Sequence, residues 1–130
     1  TQVDQGNVMI KLLHVEDDAD IREIAKMSLE LTGDFEVVQC NSGQEALDTV
    51  PSFTPDVILL DMMMPGMTGK ETLEHLRKID ALKETPAIFM TARAQNADVE
   101  EFRAVGAVEV ICKPFDPMSL AEQIKTAMNA

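Results

Sequence analysis

Three carboxylates, a hydroxyl and an ammonium stand where they could meet around phosphorus. Asp61 closes the run Val57-Ile58-Leu59-Leu60 and is followed by Met62-Met63-Met64-Pro65-Gly66-Met67-Thr68-Gly69. The unbroken apolar run reads as a central strand of a parallel sheet, and the Pro/Gly-rich stretch after it as a loop. Glu16-Asp17, Thr91-Ala92 and Lys113-Pro114-Phe115 each follow another strand-like segment. In an open α/β sheet the carboxyl ends of the strands share one edge, where ligands bind. Clustered carboxylates cannot all stay ionised without a cation. An all-oxygen set suits Mg²⁺, which binds through a few carboxylates and keeps several waters. The negative charges of Glu16, Asp17 and Asp61 would be balanced by one Mg²⁺ and the Lys113 ammonium. A carboxylate is a nucleophile towards phosphorus, and the metal and Lys113 would offset charge developing on the phosphoryl oxygens. Thr91 would offer those oxygens a hydroxyl.

Strand-like and helix-like patterns alternate along the chain. Strands are expected over 9–15, 36–40, 56–60, 86–91 and 108–112. Helices are expected over 18–31, 42–50, 68–79, 96–105 and 116–128. Ile21, Ile24, Ala25 and Leu29 mark the inward face of the first helix, and Leu73, Leu76 and Ile79 that of the third. Ser42 is placed to cap the second helix, Gly33, Pro51 and Gly106 stop helices, and Pro117 suits the first turn of the last one. Five β-α units in series predict an α/β fold: a doubly wound five-stranded parallel sheet with right-handed crossovers.

With 130 residues, 45 % hydrophobic and 26 % charged, the chain is expected to form one globular domain. Residues 1–8, polar and without a hydrophobic pattern, are expected to be a disordered or artificial tail, with the domain over 9–130. The net charge of −12 argues against binding a nucleic-acid backbone or an anionic membrane surface. No apolar run approaches the roughly 18 residues of a membrane span, and no signal pattern is present, so a cytoplasmic protein is expected. Cys40 and Cys112 form no disulfide framework. His14 is expected to be a hydrogen-bonded structural residue, His75 to lie on a polar helix face, and Met62 to Met64 to pack core and loop. Asp18 reads as a first-turn acid of the helix and not as part of the site.

From Met9 to about Met128 the chain resembles a response-regulator receiver domain, the phosphorylatable module of two-component signalling. The segments carrying the likeness are His14-Val15-Glu16-Asp17-Asp18, Pro55 to Gly66, Met90-Thr91-Ala92 and Lys113-Pro114-Phe115, with Ser42 to Leu47 matching the second helix. The resemblance implies a flavodoxin-like strand order of 2-1-3-4-5, which puts Cys40 and Cys112 on opposite edges of the sheet. It implies Asp61 as phosphoacceptor, with Thr91 and Lys113 completing the switch. Asp17, Asp61 and the Met63 carbonyl would bind Mg²⁺ directly, and Glu16 through water. The Lys113–Pro114 bond would be cis. A histidine kinase or histidine phosphotransfer protein would be the donor and a downstream protein the target, with a phosphorylation-dependent dimer allowed for. The module would be no enzyme beyond its own phosphorylation and dephosphorylation, and would be either a free-standing receiver or a part of a larger regulator or hybrid kinase.

Departures from the family pattern are equally specific. Val110 stands where Tyr or Phe is frequent, Glu16 replaces the more usual Asp, and Met63 and Arg93 occupy the positions that tune phosphoryl lifetime. The alternative is a haloacid-dehalogenase-type aspartyl-phosphate phosphatase, which needs a second Asp two residues after the nucleophile, where this chain has Met63. A flavodoxin-like ligand-binding module would need a phosphate-cradling loop after the first strand, where this chain has acids.

Overall fold

The computed structural model describes residues 9–92, 100 and 102–129. Their strands are β1 (Ile10–Val15), β2 (Phe35–Cys40), β3 (Val57–Asp61), β4 (Ala87–Thr91) and β5 (Ala107–Cys112). Their regular helices are α1 (Ala19–Glu30), α2 (Gly43–Thr49), α3 (Gly69–Leu76) and α4 (Leu120–Met128), with a short 3₁₀ turn at Asp80–Leu82. All strand pairings are parallel, in the order β2-β1-β3-β4-β5. The expected fold and strand order are therefore present. Of the helix expected over 96–105, residue 100 and residues 102–104 are helical. Its first residues, Arg93 and the tail 1–8 lie outside the described residues.

The two faces of the sheet bury different residues because side chains alternate along a strand. Leu13, Val15, Ile58, Leu60 and Phe89 pack with Ala46, Leu73 and Leu76 under α2 and α3. Leu12, Val57, Leu59, Ile88 and Met90 pack with Ala25, Leu29, Leu120 and Ile124 under α1 and α4. β3 is buried at every position, as a strand covered on both faces must be. Cys40 is buried on edge strand β2 and Cys112 exposed on edge strand β5.

Local signals set the helix starts. Asp18 accepts from the N–H groups of Asp20 and Ile21, and Ser42 from that of Glu45. Thr68 and Glu71 cap α3 reciprocally. Three expectations need correcting. Ile24 is 45 % exposed, since the buried face of α1 is Ala25, Ser28 and Leu29. Ile79 lies beyond the end of α3 in extended backbone and is 36 % exposed. Regular α4 starts at Leu120, because Asp116 first draws Met118 N–H and the Ser119 hydroxyl into a turn. At the opposite, amino-end edge of the sheet, Arg77 Nη1 donates to the carbonyls of Leu82 and Thr85 at 2.8 and 2.6 Å. Its Nη2 donates to that of Gly106 at 3.1 Å.

Candidate functional site

The parallel register sets the carboxyl ends of β1, β3, β4 and β5 side by side. Asp61 pairs with Met90, one residue before Thr91, and Thr91 pairs with Cys112, one residue before Lys113. The Thr91 carbonyl accepts the Lys113 N–H at 2.8 Å. Gly69 lets the start of α3 lie against this edge, since a Cβ there would come 2.3 Å from the Asp61 carbonyl oxygen.

Glu16, Asp17, Asp61 and Lys113 lie together at this edge. Lys113 Nζ donates to Asp61 Oδ1 at 2.9 Å and lies 2.9 Å from Glu16 Oε1. Carboxylate oxygens of Glu16, Asp17 and Asp61 lie within 4.8 Å of one another. Glu16 and Asp61 are buried, while Asp17 is exposed. Thr91 is buried at the neighbouring strand end. Met63 is exposed, and its N–H donates to Asp61 Oδ1 at 3.3 Å. The Lys113–Pro114 bond is cis.

Burial, opposed by the Lys113 contact and reinforced by Asp61, pushes the Glu16 carboxyl up from 4.5 to about 7. Burial alone would lower Lys113, but its contacts with Asp61 and Glu16 outweigh that and raise it. Glu16 thus holds its charge at a cost without a further cation. Its Oε1 is also a buried oxygen that accepts no aligned hydrogen bond, although Lys113 lies close. A hard divalent cation would satisfy that oxygen and restore the charge, so the donor set fits Mg²⁺.

Beneath these acids lies a polar network for which the sequence carries no motif. Gln39 Nε2 donates to the Arg22 carbonyl at 2.7 Å and lies 3.1 Å from His14 Nδ1. Arg22 Nη1 donates to the Glu16 carbonyl at 2.7 Å. Because Gln39 presents its N–H to Nδ1, neutral His14 carries its proton on Nε2, which has no partner among the described residues. Burial, helped by the Lys113 and Arg22 charges, holds His14 down from 6.5 to about 4. The unfolded chain therefore takes up this proton first. The stability due to neutral His14 is complete above pH 6.5 and is lost as pH falls towards 4, by about 3 kcal/mol. Glu16 acts in the opposite direction, its contribution being lost as pH rises through about 7. Urea melts in chelator should isolate the histidine: subtracting the curve for His14→Gln should leave a difference that climbs from pH 4 to 6.5. A flat difference would show that His14 is protonated in the fold.

The chain matches the family model for the response regulator receiver domain over residues 12–125. It is 36 % identical over 119 residues to the phosphate regulon transcriptional regulatory protein PhoB of Escherichia coli, covering 92 % of this chain and 52 % of that one. The transcriptional regulatory protein YvrH of Bacillus subtilis is 37 % identical over 118 residues, which are 91 % of this chain and 48 % of the relative. The chain thus spans about half the length of these curated relatives. Among solved structures, the chemotaxis protein CheY4 of Vibrio cholerae superposes with a TM-score of 0.88 at 33 % identity, covering 92 % of this chain and 99 % of that one. A CheY-like receiver domain protein of Methanospirillum hungatei gives 0.83 at 29 %, over 94 % and 95 %. The phosphatase alternative finds no support, and Met63 stands where its general acid would be. Sequence, topology and the acid-lined strand ends therefore agree: the chain belongs to the response regulator receiver domains, the phosphorylation-controlled switches of two-component signalling.

Proposed function

We propose that Asp61 is the phosphoacceptor of this switch, and that Glu16, Asp17, Asp61 and the Met63 carbonyl form its Mg²⁺ site. One observation carries this reading: the buried Asp61 carboxylate shares an ammonium with Glu16 and lies within a three-acid cluster at the sheet's carboxyl edge. Bound Mg²⁺ would supply positive charge for the phosphoryl oxygens. Asp61 supplies the attacking oxygen, a carboxylate being a nucleophile towards phosphorus, and Lys113 holds its Oδ1 by a hydrogen bond. Lys113 already touches the carboxylate and needs little movement to follow the new group. Thr91, one residue beyond the Asp61 partner on β4, would donate its hydroxyl to that group. Phosphorylation adds a charge of roughly −1.5 to −2 and strong acceptor oxygens. Two to four charge-assisted hydrogen bonds at about 1.5–3 kcal/mol each suffice for the roughly 5.5 kcal/mol that inverts a 1:99 equilibrium.

The donor is a phosphohistidine protein, a histidine kinase or phosphotransfer protein. Beside Lys113 an apolar hollow of about 350 Å³ is lined by Ile21, Ile24, Phe115 and Pro117. This surface offers the donor an apolar seat next to the acceptor. No helix among the described residues is long and apolar enough to cross a membrane. The proposed place of action is the cytoplasm. The module does no chemistry on other substrates and passes its state to a downstream protein.

Acetyl phosphate with MgCl₂ should add one phosphoryl group, seen by intact mass and mapped by peptide to Asp61. EDTA should prevent it. Labelling of another residue, or labelling indifferent to EDTA, would overturn the assignment.

A further inference from the structure

We propose that Arg22 is a positioning residue for the divalent-cation site. The proposal rests on the Mg²⁺ reading above. Glu16 and Asp17 are consecutive, so one peptide group sets the directions of both carboxylates. That peptide lies past the end of β1, where ladder hydrogen bonding stops. Its carbonyl, on Glu16, is held by Arg22 Nη1 at 2.7 Å. The Glu16 N–H donates to the Cys40 carbonyl at 3.0 Å, and the Asp18 N–H donates to Glu16 Oε2 at 3.2 Å. The first two bonds fix the backbone and the third fixes the side chain.

Arg22 is in turn held from two sides. Its N–H donates to the Asp18 carbonyl at 3.0 Å within α1, and its own carbonyl accepts from Gln39 on β2 at 2.7 Å. Gln39 is tied in by His14 Nδ1 at 3.1 Å. The guanidinium therefore reaches the Glu16–Asp17 peptide from a helix anchored to the neighbouring strand. Such outer partners orient metal ligands, and their loss commonly weakens binding by about 10–100-fold.

Charge alone predicts the reverse. A guanidinium one peptide away from a cation site repels the cation, so its removal would tighten binding. The two accounts differ in sign. Mg²⁺ affinity should be measured by calorimetric titration of the whole chain as wild type, Arg22→Met and Arg22→Lys. Metal-free melting and exchange of the Asp17 amide should be followed in parallel. Positioning predicts about tenfold weaker binding in Arg22→Met, recovery towards wild type in Arg22→Lys, and faster Asp17 exchange before any metal is added, with the metal-free fold retained. Equal or tighter binding in Arg22→Met would overturn the role while leaving the cation site intact. Failure of the wild type to bind Mg²⁺ would overturn both. If Arg22→Met does not fold, Arg22→Gln replaces it under the same criteria.

Discussion

Asp61→Asn is expected to abolish phosphoryl uptake, leaving less than about 1 % of the wild-type rate with acetyl phosphate and Mg²⁺. The carboxamide has nearly the shape of the carboxylate but lacks the anionic oxygen that attacks phosphorus. It also removes a charge from the cation site, so nucleophile and metal affinity decline together. A hundredfold loss corresponds to about 2.7 kcal/mol of barrier, and a missing nucleophile costs more than that. The fold should survive. The carboxamide oxygen could still accept from Lys113, and Glu16 would keep its ion pair with the same ammonium. Thermal melting therefore serves as the control, with a change of no more than about 1 kcal/mol. Undiminished labelling of a folded Asp61→Asn protein would place the acceptor elsewhere.

Gly69→Ala should cause the largest loss of stability among single methyl additions at this edge, about 3 kcal/mol or a melting shift of roughly 10 °C. The added Cβ would come 2.3 Å from the Asp61 carbonyl oxygen and 2.9 Å from Met62 Cα. Both are backbone atoms, and neither can rotate away. The Gly69 N–H also donates to the Met62 carbonyl at 3.0 Å, tying the start of α3 to the β3 end. Relief thus requires the helix or the Asp61 loop to move. If the loop yields, phosphorylation should slow in step with destabilisation. A Gly69→Ala protein with wild-type melting and labelling would mean that α3 sits farther from β3 than described.

The strands were legible in the sequence because their apolar runs are short, β-branched and closed by turn residues. Glu16, Asp17, Asp61 and Lys113 were legible because each follows such a run, and parallel topology sends all those ends to one edge. Helix faces were harder to read. Ile24 lies about 90° around α1 from the centre of its buried face, too far to reach the sheet, yet its apolar character counted as inward. Ile79 fitted the period of α3, but the helix had already ended at Leu76 and passed into the 3₁₀ turn. The bonds from Arg22 to Glu16 and from Gln39 to Arg22 and His14 were not legible. They depend on how α1 is rotated against β1 and β2, and no spacing along the chain encodes that angle.

Arg77 makes the two ends of this sheet mechanically unequal. One guanidinium, clamped on three carbonyls from the segments that enter β4 and β5, acts as a rivet in the floor of the molecule. A disturbance at the opposite rim should then pivot about a fixed base and not slide the strands bodily. Displacements on activation should accordingly shrink with depth, fading to nothing near Gly106.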